Sequence, residues 1–177
     1  MQVFAPDGEA APAPALRTPG RAVLSGARVG VLDNGKPNAG LLLTRVAEQL
    51  ATRTGATLAL VTEKGPGGNA ATPCTPGVMD RLTSDCDVVL TGSADCGSCT
   101  AYSVYDTIEL EKAGRPCVVV TTTQFAPIAS TMAANFGLPE ARTLVLDHPI
   151  GGTARETLEG WADAASDRLV ELFTAAP

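Results

Sequence analysis

Five short apolar runs, rich in β-branched residues, alternate with stretches of helical periodicity from residue 28 onward. Nearly all of the runs are continuously apolar, which is typical of parallel strands that are buried on both faces of a sheet. The predicted strands are Val29–Leu32, Thr57–Val61, Asp87–Thr91, Cys117–Thr121 and Thr143–Leu146.

Helical patterns fill the intervals between these runs. Leu42, Val46 and Leu50 recur every four residues with charged residues between them, which predicts an amphipathic helix. Further helices are predicted from near residue 100 to Gly114, over residues 75–84, over residues 128–137 and from residue 153 onward. The last of these begins with Thr153 and Glu156, which have the spacing of a capping box.

The alternation of strands and helices predicts an α/β fold, a doubly wound five-stranded parallel sheet in a single domain. We expect the flavodoxin-like strand order 2-1-3-4-5 and assign residues 26–177 to this domain. Residues 1–25 are rich in Ala and Pro and are predicted to form an extended or flexible N-terminal arm.

Composition and charge narrow the classes of partner. The 177 residues carry a formal net charge of -6, and their cations are scattered, so nucleic acid and anionic membranes are not expected partners. The N-terminus lacks the pattern of a secretion signal, and no apolar stretch approaches the roughly 18 residues of a membrane span. We therefore expect a cytoplasmic protein, in which the five cysteines stay free of purely structural disulfides.

Polar and unusual loops follow four of the five predicted strands. Because the carboxyl ends of parallel strands share one edge, and ligands bind there where the strand order reverses, we expect a site near the first and third strands. The four loops are Asp33–Asn38, Gly92–Cys99, Thr121–Phe125 and Asp147–Gly152.

Cys96 and Cys99 lie three residues apart at the start of the helix predicted near Thr100. Unpaired amides at a helix N-terminus stabilise a thiolate, so Cys96 is the predicted nucleophile, and Cys99 is close enough to resolve an adduct or close a disulfide. A zinc site and an inert buried pair are the less favoured alternatives, and neither a metal nor a cofactor is expected. The other cysteines, Cys74, Cys86 and Cys117, are predicted to be unreactive.

His148 is the only histidine in the chain and follows the fifth predicted strand, where it is a candidate for proton transfer or for binding a substrate carboxylate. The loop with Lys36 is a candidate cradle for an anion, or else a simple turn, and Asp33 either caps that loop or touches a ligand. The predicted substrate-binding residues are Asn34, Lys36, Asn38, Ser98, Thr100, Gln124, Phe125 and Gly151.

Four segments together resemble the UGSC family, which is named for a selenocysteine-Gly-Ser-Cys motif whose selenocysteine is Cys in many members. The segments are LDNGKPNA (32–39), DCGSCT (95–100), IELEKAGRPCVVVTTTQFAPIA (108–129) and HPIGG (148–152). Residues 111–152 also resemble, more distantly, the selenocysteine subunits of glycine, sarcosine and betaine reductases, in which a selenolate attacks the carbon bearing an amine and the selenoether passes to a partner protein. By this resemblance Cys96 takes the selenocysteine position, which implies a nucleophilic or redox role.

The expected function is that of a cysteine-dependent reductase or transferase acting on a small, anionic, electrophilic substrate. Cys96 attacks the substrate and Cys99 resolves the adduct, by reductive cleavage or by transfer of sulfur or an alkyl group. The expected partners are an external thiol reductant or a carrier protein, and a homodimer is a possibility. The alternatives are a non-catalytic redox-sensing or binding module and a general thiol-disulfide oxidoreductase.

Overall fold

Five strands and five helices alternate along the chain in the computed structural model, which describes residues 14–175. The strands are β1 (Arg28–Asp33), β2 (Thr57–Glu63), β3 (Val88–Ala94), β4 (Cys117–Thr122) and β5 (Arg142–Leu146). The helices are α1 (Ala39–Thr54), α2 (Pro76–Asp85), α3 (Gly97–Lys112), α4 (Ala126–Asn135) and α5 (Arg155–Thr174). All pairs of neighbouring strands are parallel, in the order β2-β1-β3-β4-β5, so the predicted α/β fold is confirmed.

The two faces of the sheet are covered by different helices. Successive residues of one strand point to opposite faces and therefore contact different helices. Val118 and Val120 of β4 face a cluster formed with α1 and α5. Cys117 and Val119 of the same strand face α2, α3 and α4. No helix in the part of the chain that the structure describes is long and apolar enough to cross a membrane.

The expectation that the strands are buried on both faces holds only in the middle of the sheet. Every residue of β3 and β4 is buried, whereas β2 alternates between exposed and half-buried positions. The edge strands leave Val61 and Val145 47% and 45% exposed. Apolar runs therefore indicated the strands correctly without indicating which of them lie at the edges.

The predicted capping box of α5 is wrong. The N-cap residue is Ala154, with no side-chain cap, and the hydroxyl of Thr153 donates instead to the carbonyl of Pro149. The two glycines before Thr153 form a turn, and the backbone amide of Thr153 donates to the carbonyl of Ile150 at 3.3 Å. The threonine therefore closes the preceding loop and is not free to cap the helix.

A buried ion pair joins α3 to the edge strand β5. Glu111 and Arg142 are fully buried and 2.6 Å apart, and the Arg142 guanidinium also donates to the carbonyl of Thr18 at 2.6 Å. Glu111 accepts from the backbone amides of Thr18 at 2.7 Å and Cys117 at 2.9 Å. The described part of the predicted arm, residues 14–25, contains no helix or strand and is hydrogen bonded to this pair; residues 1–13 lie outside the described residues.

Breaking this ion pair from one side should destabilise the fold strongly. Arg142→Met leaves the Glu111 carboxylate buried without its cation, and we expect the free energy of unfolding to fall by about 3–5 kcal/mol in urea denaturation. Replacing both partners, as in Glu111→Leu/Arg142→Met, removes both buried charges and should cost clearly less. A double variant as unstable as the single one would show that the unpaired charge is not the cause.

Candidate functional site

Cys96 is the N-cap residue of α3, directly after the carboxyl end of β3. Its carbonyl accepts the first helical hydrogen bond, from the amide of Thr100 at 3.0 Å, and also the Thr100 hydroxyl at 2.6 Å. The amides of the three residues in between therefore precede the helical ladder, and their N–H groups lie at the positive end of the helix dipole. This position favours negative charge on the sulfur of Cys96.

Cys96 and Cys99 are paired as a disulfide, with their Cα atoms 5.5 Å apart. Cys96 is half-buried, whereas Cys99 is fully buried and its sulfur lies 3.3 Å from the carbonyl of Cys96. A molecule arriving from solvent thus reaches the sulfur of Cys96 first. This arrangement is consistent with the predicted roles of Cys96 as nucleophile and Cys99 as resolving cysteine.

A pocket of about 430 Å³ opens beside Cys96. Residues 34–36 after β1, residues 63, 64 and 68–71 at and beyond the end of β2, and Ser98 form the rest of its lining. The pocket therefore lies on the side of α3 where β1 and β2 end, at the edge of the sheet where a site was expected.

Lys36 is the half-buried cation of this pocket. None of the ion pairs found among residues 14–175 includes Lys36, whereas the other lining lysine, Lys64, is paired with Asp106. An ammonium group outside any of these ion pairs, in a pocket that also contains Cys96 and Glu63, can attract an anionic group of a ligand.

The two asparagines of the β1 loop are engaged in holding loops together. The side-chain amide of Asn34 is buried and donates to the carbonyl of Ser93 at 2.8 Å and to the hydroxyl of Ser103 at 3.2 Å. That of Asn38 donates to the carbonyls of Ile150 and Thr153 at 2.9 and 3.0 Å. These side-chain N–H groups already have partners within the protein. The predicted role of the two asparagines in binding substrate stays a prediction.

Asp33 behaves as the cap of the same loop. Its Oδ1 accepts from the amide of Gly35 at 2.8 Å, and burial raises the pKa of this carboxyl, with the nearby Glu63 adding to the rise. Of the two roles expected for Asp33, the structure therefore shows the turn.

His148 lies on the other half of the same edge, and it is not part of the pocket lining. The imidazole is exposed, its Nδ1 is 3.1 Å from the hydroxyl of Thr122, and its ring centroid is 5.7 Å from that of Phe125. The amide of Gly151 donates to Asp95 at 3.4 Å and so connects the His148 loop to the residue before Cys96.

The structure brings four of the predicted site residues together in one pocket and places the others outside its lining. Asn34, Lys36, Cys96 and Ser98 line one pocket. Thr100 is buried with its hydroxyl on the backbone, while Gln124 is exposed near the end of β4. The roles assigned to these residues stay predictions.

The loop after β2 is the part of the site that the sequence analysis missed. Glu63, Lys64 and residues 68–71 line the pocket, although only the loops after the other four strands were considered. The run GPGGN at residues 65–69 is as unusual as those loops and follows the carboxyl end of a strand. The same rule would therefore have included it.

The remaining cysteines are poor nucleophiles. Burial raises the pKa of Cys74 to about 12 and that of Cys86 to about 11, and it raises the pKa of Cys117 well above its usual value. Burial and a raised pKa both disfavour the thiolate of these three cysteines, which supports the expectation that they are unreactive. Cys86 is the C-cap residue of α2.

Comparison with known proteins gives one family. The model of the UGSC family matches residues 2–175. No curated protein matches the chain. Among solved structures, the chain is similar to rubredoxin oxygen:oxidoreductase from the anaerobe Desulfovibrio gigas, with 13% identity, a TM-score of 0.45, and coverage of 87% of this chain and 38% of that one. The chain thus spans well under half the length of that protein.

The environments of the five cysteines predict a clear order of alkylation. After reduction, native protein treated with iodoacetamide at pH 7–8 should be labelled at Cys96 first, as read by peptide mass spectrometry. Cys74, Cys86 and Cys117 should react only in denaturant, because their raised pKa values leave almost no thiolate until the pH is near 11 or higher. Labelling of Cys74 or Cys86 as fast as Cys96 in the native state would contradict this order.

Proposed function

The chain belongs to the UGSC family, and from that premise we propose that it is a thiol-dependent enzyme in which Cys96 attacks a small, electrophilic, anionic substrate. The observation that carries the proposal is the arrangement of Cys96 in one pocket with the unpaired Lys36, at the N-terminus of α3. Lys36 binds the anionic group, and the helix amides stabilise the attacking thiolate.

The proposed reaction uses the cysteine pair as a two-electron reductant. The Cys96 thiolate forms a bond to the electrophilic carbon, and the leaving group departs with the electron pair of its bond and takes a proton. The Cys99 thiolate then attacks the sulfur of Cys96, so that a disulfide forms and the carbon leaves with the electron pair of the C–S bond. Protonation of that carbon completes the exchange of the leaving group for hydrogen.

Two protons and two electrons come from the thiol pair in this scheme, so each turnover leaves one Cys96–Cys99 disulfide. An external thiol or dithiol reductant restores the pair by exchange at Cys96, the sulfur that solvent reaches. A second version of the reaction stops at the adduct and passes the group on Cys96 to a carrier protein. The buried position of Cys99 against the Cys96 carbonyl favours the reductive version, because the resolving thiol is always at hand.

His148 is proposed to assist proton transfer from the half of the edge opposite Lys36. Its ring is exposed and is oriented by the Thr122 hydroxyl and the side chain of Phe125. Imidazole is the side chain that most often serves as a general acid or base in enzymes. Phe125 and Gln124 then contribute the apolar and polar rim on that side.

Trapping the adduct tests the proposed chemistry. Reduced wild-type protein is mixed with small thioesters and α-halo acids, and intact-mass spectrometry follows the sulfur species. We expect Cys99→Ser to accumulate a covalent adduct on Cys96, and the wild type to convert the reactive member of this panel to product with return of the disulfide. Cys96→Ser should do neither, and turnover by that variant would disprove the role of Cys96.

The role of Lys36 is tested by comparing how fast Cys96 reacts with an anionic and with a neutral alkylating reagent. The alkylation rate with iodoacetate relative to iodoacetamide should be higher for the reduced protein than for a free thiol, and Lys36→Met should lower this ratio about fivefold, the equivalent of one charge pair of about 1 kcal/mol. Lys112→Met is the matched control, because Lys112 is exposed at the far end of α3 and paired with Glu109. An equal loss in both variants would indicate a general effect of net charge.

A further inference from the structure

The loop that follows β2 is fastened at both ends to α3, the helix that carries Cys96. At its start, the Lys64 ammonium is 2.9 Å from Oδ2 of Asp106 and donates to the carbonyl of Thr72 at 2.7 Å. At its end, the amide of Cys74 donates to Oδ1 of the same Asp106 at 3.0 Å. The amide of Thr75 closes the loop on the carbonyl of Lys64 at 2.8 Å.

We propose that Lys64 and Asp106 are positioning residues, whose buried ion pair fixes residues 65–73 as a rigid wall of the Cys96 pocket and so limits the size of the substrate. This inference rests on the proposed function only in calling the occupant of the pocket a substrate. The fastening of the wall is a separate statement about the structure.

Burial makes each member of this ion pair dependent on the other. The side chains of Lys64 and Asp106 are 1% and 0% exposed, so each charge has left water and depends on the other for compensation. The ammonium of Lys64 is thereby neutralised, although Lys64 lines the pocket. Lys36 remains the cation for an anionic substrate, and Lys64 holds the wall.

The loop between the two anchors is hydrogen bonded within itself. The amides of Gly68, Asn69 and Ala71 bond within the loop, to the Gly65 carbonyl at 2.9 Å, the Thr72 hydroxyl at 2.9 Å and the Asn69 side chain at 2.8 Å. Gly65 has a φ of +92°, and a Cβ there would collide with Thr75. A loop of this kind keeps its own shape, so its position over the pocket depends on its two ends.

Both the wall and the nucleophile are carried by the same rigid element. Asp106 lies ten residues after Cys96 on α3, about 15 Å along the helix axis at 1.5 Å per residue. Both ends of the loop, Lys64 and Cys74, contact Asp106, while residues 68–71 line the pocket that contains Cys96. The width of the pocket is therefore set by this one connection between the loop and the helix.

The variant Lys64→Met/Asp106→Leu tests the inference, because replacing both members of a buried ion pair preserves the fold better than replacing one. Glu111→Leu/Arg142→Met is the matched control, since it removes the other buried ion pair of α3 and leaves the loop untouched. Hydrogen exchange at the amide of Cys74, the end of the loop that bonds to Asp106, should become roughly tenfold faster, or more, in the first variant only, as expected when a hydrogen bond to a charged group is lost.

A second measurement reads the width of the pocket. Reduced proteins are alkylated with iodoacetate and with the bulky anion 5-iodoacetamidofluorescein, and the rate with the bulky reagent relative to iodoacetate should rise about tenfold in Lys64→Met/Asp106→Leu but not in the control. Unchanged exchange at Cys74, an unchanged rate ratio, or equal changes in both variants would overturn the inference. Failure of the proposed function appears differently, as wild-type protein whose Cys96 shows no preference for iodoacetate over iodoacetamide.

Discussion

Two buried carboxylates on α3 hold the rest of the molecule in place around that helix. Asp106 is paired with Lys64, which follows β2, and Glu111 is paired with Arg142, which begins β5. An unpaired charge in the interior costs several kcal/mol, so each acid requires its base at one position. The two edge strands of the sheet, which lie far apart, are thus both tied to the one helix that begins at Cys96.

This arrangement explains why the sulfur of Cys96 has a defined position. Apolar contacts are less directional than hydrogen bonds, so packing alone specifies the orientation of a helix less closely. Charged hydrogen bonds have preferred distances and angles, and those of Asp106 and Glu111 lie on the same helix between the sheet and two separate loops. Both pairs restrain the position of α3, and the Asp106 pair connects the helix to residues that line the pocket.

Local sequence patterns were enough for the fold but not for the pocket. β-Branched runs indicated all five strands, because a strand pattern depends on residues near one another in the chain. The alternation with helices indicated a parallel sheet, for which the flavodoxin-like order was expected and is confirmed. The Lys64–Asp106 pair joins residues that are distant in sequence, and nothing in the local pattern of either residue indicates the other. The same holds for Asn34, whose amide has its partners on β3 and α3, and for Arg142, which appeared only as the residue before a predicted strand.

The central position of β3 in the sheet gives the proposed nucleophile two different neighbourhoods. On the side of β1 and β2, Cys96 shares a pocket with Lys36 and the wall formed by residues 68–71. On the side of β4 and β5 lies the loop of His148, which is tied to Asp95 through Gly151. Under the proposed function, a substrate held by its anionic group on the first side would present its other end toward the second. The cation proposed to bind the anionic group and the imidazole proposed to move a proton would therefore act on different parts of the substrate, with Cys96 between them.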